Sequence, residues 1–170
     1  MPRRMALAIL LVLSTLTETA YSEGKPNEMA ERDLLAAQNT YRQAAGVDPL
    51  KWSESLAAGA AEWARHLAET HQLQHSKDPD FGENLWMGSA GRYTLAQMVK
   101  SWGDEKRYFV AGKPFPDVSS SGNWRDVGHY TQMIWRNTTA VGCGVGRDSK
   151  YDYLVCRYSP PGNIISEPVK

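Results

Sequence analysis

Four histidines, His66, His71, His75 and His129, are the side chains of this 170-residue chain best suited to chemistry near neutral pH. Imidazole titrates in that range and is the commonest protein ligand of transition metals. The histidines do not form the His-Glu-x-x-His pattern of helix-borne zinc proteases. The chain also lacks a Gly-x-Ser-x-Gly nucleophile elbow and a phosphate-binding P-loop. Each histidine alone is therefore more typical of a structural or solvated side chain than of a ligand.

One carboxylate falls on an apolar helical stripe. Thr94 and Gln97 have the spacing of a capping box, which predicts that a helix begins here. Its apolar face contains Leu95, Met98, Val99 and Trp102. Glu105 follows Trp102 by three residues and so belongs to the same face. A carboxylate that leaves water needs a partner, which makes Glu105 a candidate for a functional site.

The two cysteines lie on opposite arms of a predicted β-hairpin. Strands are expected over residues 140–147 and 151–158, joined by a turn at residues 148–150. If the chain is exported, as its first 22 residues indicate below, a disulfide between its only two cysteines, Cys143 and Cys156, is the default expectation. A metal site is less favoured because no histidine lies between them, and an oxidised pair offers no catalytic thiol.

The first 22 residues have the layout of a secretory signal peptide. Arg3 and Arg4 precede an apolar run over residues 5–13, and small residues, Ala20 and Ser22, stand at the −3 and −1 positions of a cleavage site. The run is too short to span a membrane, which requires about 17–25 residues. We expect an exported protein without a transmembrane anchor that begins at Glu23. The destination would be extracellular, or periplasmic if the source is a Gram-negative bacterium.

Charge and length narrow the classes of protein and fold to which this chain can belong. Lys plus Arg and Asp plus Glu both total 19, so the basic excess typical of nucleic-acid-binding proteins is missing. Residues 23–170 have the length of a single domain, and we expect a monomer. Helices capped at Asn27, Ser53 and Thr94 come first, and strands over residues 130–135, 140–147 and 151–158 come last. This order predicts an α+β fold with helices covering a mainly antiparallel sheet.

Three segments together resemble the CAP superfamily, which includes cysteine-rich secretory proteins, insect-venom antigen five and plant pathogenesis-related proteins of the first class. Residues 128–138 (GHYTQMIWRNT) are similar to its first motif, and residues 153–164 (YLVCRYSPPGNI) to its second. Residues 82–85 (GENL) match a short segment that precedes both. The similarity runs from about residue 31 to residue 163. It implies a three-layer α-β-α sandwich with a mainly antiparallel central sheet.

The resemblance also implies a cleft with two histidines and two glutamates. The matching positions in this chain are His75, His129, Glu83 and Glu105; His66 and His71 match nothing. Two imidazoles suit a divalent cation, with zinc the first expectation and water completing the coordination. The glutamates would then support the site by orienting the rings. The cysteines match the family's strand-to-strand bridge, and activities of the cysteine-rich regions appended in some members are not carried over.

Three functions follow from these observations. The favoured one is a secreted binding module for a lipid, a sterol or an extracellular protein. Four aromatic residues in or beside the long loop over residues 111–124 would form an apolar wall, or alternatively pack the loop itself: Tyr108, Phe109, Phe115 and Trp124. The second is a hydrolase in which Glu83 or Glu105 activates a water molecule. The third is a structural polar cluster without a ligand. Because no nucleophile is evident, binding is favoured over catalysis.

Overall fold

The computed structural model describes the backbone of residues 26–170 and their side chains from residue 28. The predicted signal peptide and the start at Glu23 lie outside these residues. The described chain forms four helices: α1 Pro26–Ala45, α2 Glu54–Thr70, α3 Leu95–Gly103 and α4 Gly128–Met133. It also forms four strands: β1 Lys51–Trp52, β2 Gly82–Ser89, β3 Ala140–Arg147 and β4 Tyr151–Ser159. Two short 3-10 helices cover Asp104–Tyr108 and Trp124–Asp126.

The strands form one sheet in the order β1-β3-β4-β2. The predicted hairpin is confirmed: β3 pairs antiparallel with β4, and β2 is antiparallel to β4 on its other side. Only β1 runs parallel to its neighbour, pairing with the first two residues of β3. The sheet is therefore mainly antiparallel, as predicted.

Helices cover both faces of this sheet. Successive strand residues point to opposite faces. Accordingly, Leu154 and Tyr158 of β4 pack in the larger core with α1, α3 and α4, whereas Tyr153 and Val155 pack in the smaller core with α2. The α-β-α sandwich is thus confirmed.

Helix α2 approaches the sheet closely because both surfaces are made of small residues. Ser53 caps the helix by accepting a hydrogen bond from the Leu56 N–H, as expected. Alternate residues of β3 facing the helix are glycines, and a Cβ on Gly144 would lie only 2.2 Å from the Ala61 Cα. Alanines and glycines therefore set the distance between these two layers.

The predicted disulfide between Cys143 and Cys156 is present. The two residues are direct register partners on β3 and β4, with Cα atoms 4.1 Å apart. Both are buried in the larger core. The bridge ties the two central strands together beneath α1, where Gln38 contacts both sulfur atoms.

Replacing Cys143 and Cys156 together by Ala should lower the free energy of unfolding by about 3 kcal/mol, because the open chain gains conformational entropy when unfolded. Urea denaturation of the oxidised native protein and of the variant measures the difference. Reduction should destabilise the native protein and leave the variant unchanged. Equal stability of the two oxidised proteins would contradict a stabilising bridge.

Two predicted elements differ in the structure. The strand predicted over residues 130–135 is wrong, since this stretch begins inside α4. A short apolar run cannot by itself distinguish a strand from a buried helix. The third helix also ends earlier than predicted, at Gly103, so Glu105 lies in the 3-10 helix that follows. Strand β2, which was not predicted from the sequence, completes the sheet.

Candidate functional site

A cavity of about 740 Å³ lies where β2, α4, the long loop and the segment after β4 meet. It brings together the two histidines proposed as metal ligands, one of the two supporting glutamates and two of the four loop aromatics. The polar part of its lining comprises His75, Glu83, Asn84, Arg125, His129, Gln132 and Asn163, and the apolar part comprises Phe115, Pro116, Trp124 and Ile165.

His75 lies in the loop after α2 and is held by Glu83 of β2. Its Nδ1 is 2.9 Å from the Glu83 Oε1. Ser76 also donates to this carboxylate, from its backbone N–H and from its hydroxyl, each at 2.9 Å. The Arg157 Nε lies 3.5 Å from Glu83 Oε2, and its guanidinium stacks on Phe81 at 4.0 Å. Glu83 is thus buried and surrounded by donors, while the His75 side chain is largely exposed.

These contacts determine the charge of Glu83. Burial alone would raise its pKa, but the hydrogen bonds from His75 and Ser76 outweigh burial and hold the pKa below its usual value. The carboxylate is therefore ionised near neutral pH and can only accept hydrogen bonds. His75 must then donate from Nδ1. In the neutral ring this leaves Nε2 with a free lone pair.

We predict that Glu83→Gln loses stability mainly above pH 5. The depressed pKa means that the ionised form stabilises the fold above the unfolded pKa, near about 4.3, and that this contribution is lost as pH falls through the folded value. At pH 7 the loss should be about 1–3 kcal/mol, since a carboxylate with several donors is replaced. Urea denaturation from about pH 7 to pH 3 should show that the difference in free energy of unfolding between the variant and the native protein becomes smaller as the pH falls.

Glu69→Gln is the matched control for that measurement, because the Glu69 side chain is 67% exposed and meets only Arg65, at 3.9 Å. It should change stability little at any pH. If Glu83→Gln lowers the free energy of unfolding by the same amount at every pH, the substitution acts through packing and not through charge.

His129, at the start of α4, is held by Glu105. The Glu105 Oε1 lies 2.6 Å from the His129 Nδ1. Its other oxygen, Oε2, accepts the backbone N–H groups of His129 and Tyr130, each at 3.0 Å. The His129 ring also stacks on Trp102, with centroids 5.9 Å apart. Glu105 therefore orients the imidazole and satisfies the first N–H groups of a helix that has no side-chain cap at Val127.

Polar residues of the two sequence motifs form hydrogen bonds with each other in this region. The Gln132 Oε1 accepts the Gly162 N–H at 2.9 Å. Asn163 donates to the Gly128 carbonyl at 2.8 Å and accepts from the Thr131 hydroxyl at 2.6 Å. Sequence reasoning did not single out Gln132 and Asn163, although both lie inside the quoted motifs. These hydrogen bonds join the two motifs, which residues 139–152 separate along the chain.

The remaining sequence candidates lie away from the cavity lining. Phe109 packs against Tyr130, with ring centroids 5.4 Å apart, and Tyr108 is exposed beside Arg107. His66 stacks on Trp63, and His71 bonds to Asp148 at 2.7 Å. Of the four loop aromatics, only Phe115 and Trp124 therefore face the cavity.

Two side chains in the cavity lining, His75 and His129, could hold a cation. Each histidine has its Nδ1 on a carboxylate, the arrangement that orients metal-binding imidazoles in proteins. Across the side chains described, from residue 28 onward, no group of three or more His, Cys, Asp or Glu residues is placed to hold a metal ion. A cation here would have His75 and His129 as its protein ligands, and water or a bound ligand would fill the other positions.

Comparison with known proteins agrees with the motifs and the fold. Residues 35–158 match the family model described as CAP, cysteine-rich secretory protein family. The chain belongs to the CAP family. One similar relative is the pathogenesis-related protein PRMS of Zea mays, which is 37% identical over 163 residues, with 94% of this chain and 91% of that protein covered. Another is pathogenesis-related protein 1A of Nicotiana tabacum, which is 37% identical over 161 residues, with 94% of this chain and 92% of that protein covered. This CAP-family chain is thus similar to plant pathogenesis-related proteins over nearly its whole length.

Solved structures extend the comparison. NaASP2, whose crystal structure was determined with Zn²⁺, superposes with a TM-score of 0.67 at 25% identity, covering 84% of this chain and 85% of that one. BmVAL-1 superposes with a TM-score of 0.69 at 22% identity, covering 87% and 84%, which shows a shared fold. The family description is that of secretory proteins, consistent with export, and nothing in the comparisons favours a periplasmic destination. Within residues 26–170, none of the helices is long and apolar enough to cross a membrane.

Proposed function

We propose that this CAP-family chain is a secreted, single-domain binding protein whose cavity takes a lipid or sterol together with a divalent cation. Residues 1–22 would be removed on export, leaving a domain over residues 23–170. The observation that carries the proposal is the composition of one cavity: two carboxylate-held imidazoles on one part of its lining and an aromatic wall on another. Such a cavity suits a ligand with a polar head and an apolar body.

The apolar part of the cavity is a surface that a ligand could cover. Phe115 is buried and supports Trp124, with ring centroids 5.3 Å apart. Trp124 is 36% exposed and Ile165 is 73% exposed. Exposed apolar side chains beside a cavity are typical of binding sites. Since a lipid or sterol buries apolar surface, this wall favours such a ligand over a purely polar one.

The imidazole part would hold the cation, with zinc as the first expectation. When bound, zinc would polarise an oxygen of the ligand's polar head. Glu83 and Glu105 would keep the rings of His75 and His129 oriented with Nε2 available. The similarity to NaASP2, crystallised with Zn²⁺, supports zinc as the ion to test.

The hydrolase alternative is less favoured by the same contacts. A general base needs a pKa near the working pH, but the hydrogen bonds to Glu83 lower its pKa. Glu105 already accepts two backbone N–H groups in addition to His129. Both carboxylates therefore already accept several hydrogen bonds from the protein, and we expect them to position the histidines.

We predict that Trp124→Ala weakens binding of a fluorescent sterol by about 10-fold or more, since truncating a central Trp of a binding site commonly costs at least about 1.4 kcal/mol, which is a tenfold change. Fluorescence titration of the mature protein with the sterol, with zinc and with a chelator, measures this. Tyr108→Ala is the matched control: its exposure is 37%, against 36% for Trp124, but it does not line the cavity. Equal effects of the two substitutions, or unchanged binding in Trp124→Ala, would contradict the proposed wall.

A further inference from the structure

A second candidate surface lies at the edge of the sheet, away from the histidine cavity. Strand β1 is only two residues long and pairs with Ala140 and Val141, whereas β3 continues to Arg147. Among residues 26–170, no strand pairs with this side of β3 beyond Val141. An unpaired strand edge presents backbone donors and acceptors to any extended chain that reaches it.

The hydrogen-bond pattern identifies which residues present these groups. The Ser53 N–H donates to the Val141 carbonyl at 2.9 Å, so Val141 directs its backbone toward β1. At the hairpin end, the Asp148 N–H donates to the Tyr151 carbonyl at 3.0 Å, so even-numbered residues face β4. Because the direction alternates along a strand, Cys143, Val145 and Arg147 direct their N–H and C=O groups outward. We call these three residues the open edge.

The open edge lies at the floor of a groove. Two cavities of about 420 and 490 Å³ adjoin it and share Ala61 and Val145 in their lining, so they are neighbours along β3. Helix α2 lines both cavities, and the first turns of α1 and Leu95 line the one beside Cys143. Cys143 is 7% exposed and Val145 is 43% exposed, so the edge becomes more accessible toward Arg147.

The groove has an acidic end and an end lined by arginines. Glu31 and Glu54 line it where β3 begins. Partial burial and the nearby charges of Glu54 and Glu28 raise the pKa of Glu31.

Arg65 and Arg147 line the other end. Arg65 pairs with Glu69 at 3.9 Å, and Arg147 pairs with Asp152. Both arginine side chains are more than half exposed, and a guanidinium has five N–H donors, so each can also donate to a carboxylate that arrives from outside.

An unpartnered donor marks the start of the groove. The Trp52 indole Nε1 is buried and has no hydrogen-bond partner among the residues that the structure describes. Trp52 is the last residue of β1 and lines the same cavity as Glu31 and Cys143. Buried polar groups are normally satisfied, so an acceptor arriving in line with β1 would complete this site.

We propose that the open edge binds an extended segment of a partner protein, which adds a strand to β3 with a Lys or Arg beside Glu31 and Glu54 and an Asp or Glu beside Arg65 and Arg147. At about 3.3 Å per residue, about five residues would lie between the two charges. Main-chain hydrogen bonds would provide affinity, and the charges would select the segment. None of these residues lines the histidine cavity, so the interaction is independent of cation or lipid binding there.

The test uses a capped synthetic peptide, Lys-Thr-Val-Thr-Val-Thr-Glu, at about millimolar concentration, with the mature protein observed by amide NMR. Three control peptides carry Lys at both ends, Glu at both ends, or N-methyl groups on alternate backbone nitrogens. Binding by strand addition should shift the amides of Cys143, Val145 and Arg147 and slow their hydrogen exchange about 10-fold. The even-numbered amides of β3 should be unaffected, and the Trp52 indole N–H should shift.

Two variants complete the design. Val145→Pro removes an outward N–H without touching the bonds to β4, a substitution that edge strands tolerate, and should abolish binding, whereas Val145→Thr should retain it. Glu31→Lys with Glu54→Lys should transfer the preference to the peptide with Glu at both ends. Unchanged amides at the open edge, or equal binding of the N-methylated peptide, would overturn the proposal. Protection of the same amides without peptide, together with dimerisation, would also overturn it by assigning the edge to a second copy.

Discussion

A variant with both His75→Ala and His129→Ala should lose zinc binding at the cavity, because these two imidazoles are the protein ligands that we propose for the ion. Titration calorimetry on the mature protein measures zinc uptake near pH 7.5 and again near pH 5.5. Protons compete for the imidazole nitrogens, so the affinity of the native protein should fall at the lower pH. The variants Glu83→Gln and Glu105→Gln should weaken binding by about 10–100-fold, the effect expected when the support of a metal ligand is removed.

The matched control is His66→Ala with His71→Ala, which removes two imidazoles that lie elsewhere, one against Trp63 and the other on Asp148. It should bind zinc as the native protein does. Undiminished uptake by the His75/His129 variant would locate the metal at another site. If the native protein takes up no zinc, the two histidine–glutamate pairs form a structural polar cluster and the cation part of the proposed function fails.

The largest effect on stability is expected at Arg42 of α1. The side chain is 1% exposed, and its guanidinium donates to four backbone carbonyls, those of Asp48, Met133, Trp135 and Thr138. Met133, at the end of α4, and Trp135 and Thr138, which follow it, all belong to the first motif, so Arg42 connects that motif to α1. Arg42→Met keeps much of the volume but removes the donor to all four carbonyls, and of these the Trp135 carbonyl still accepts the Thr138 N–H, at 3.1 Å.

We expect Arg42→Met to lower the free energy of unfolding by about 3–5 kcal/mol, since each unsatisfied buried carbonyl costs about 1–3 kcal/mol and some will relax toward water. That is a large part of the stability of a typical domain. Thermal and urea unfolding measure the loss, and Arg65→Met, in a side chain that is 67% exposed, is the control. A loss below about 1 kcal/mol in Arg42→Met would show that the carbonyls find other partners.

Several features were predictable from the sequence because they depend on neighbours along the chain. The caps at Ser53 and Thr94 need only residues a turn away, and the structure confirms both. The hairpin of β3 and β4 follows from two alternating runs around a short turn, and its register brings Cys143 opposite Cys156. The motifs also identified the family. The histidines and glutamates were chosen by resemblance, and the cavity places three of those four residues in its lining.

Other features depended on contacts between distant segments. Helix α4 was predicted as a strand because its cap, Glu105, comes from another element 24 residues away. The sequence did not reveal that Gln38 and Arg42 of α1 would be buried. Their partners lie in distant segments: the disulfide and Tyr158 for Gln38, and carbonyls such as that of Trp135 for Arg42. The pattern of apolar residues along the sequence indicates which apolar side chains favour burial. A polar side chain, in contrast, is buried only where the folded chain supplies its hydrogen bonds. For the same reason, only the tertiary structure could show that Phe115 faces the cavity while Phe109 packs on Tyr130.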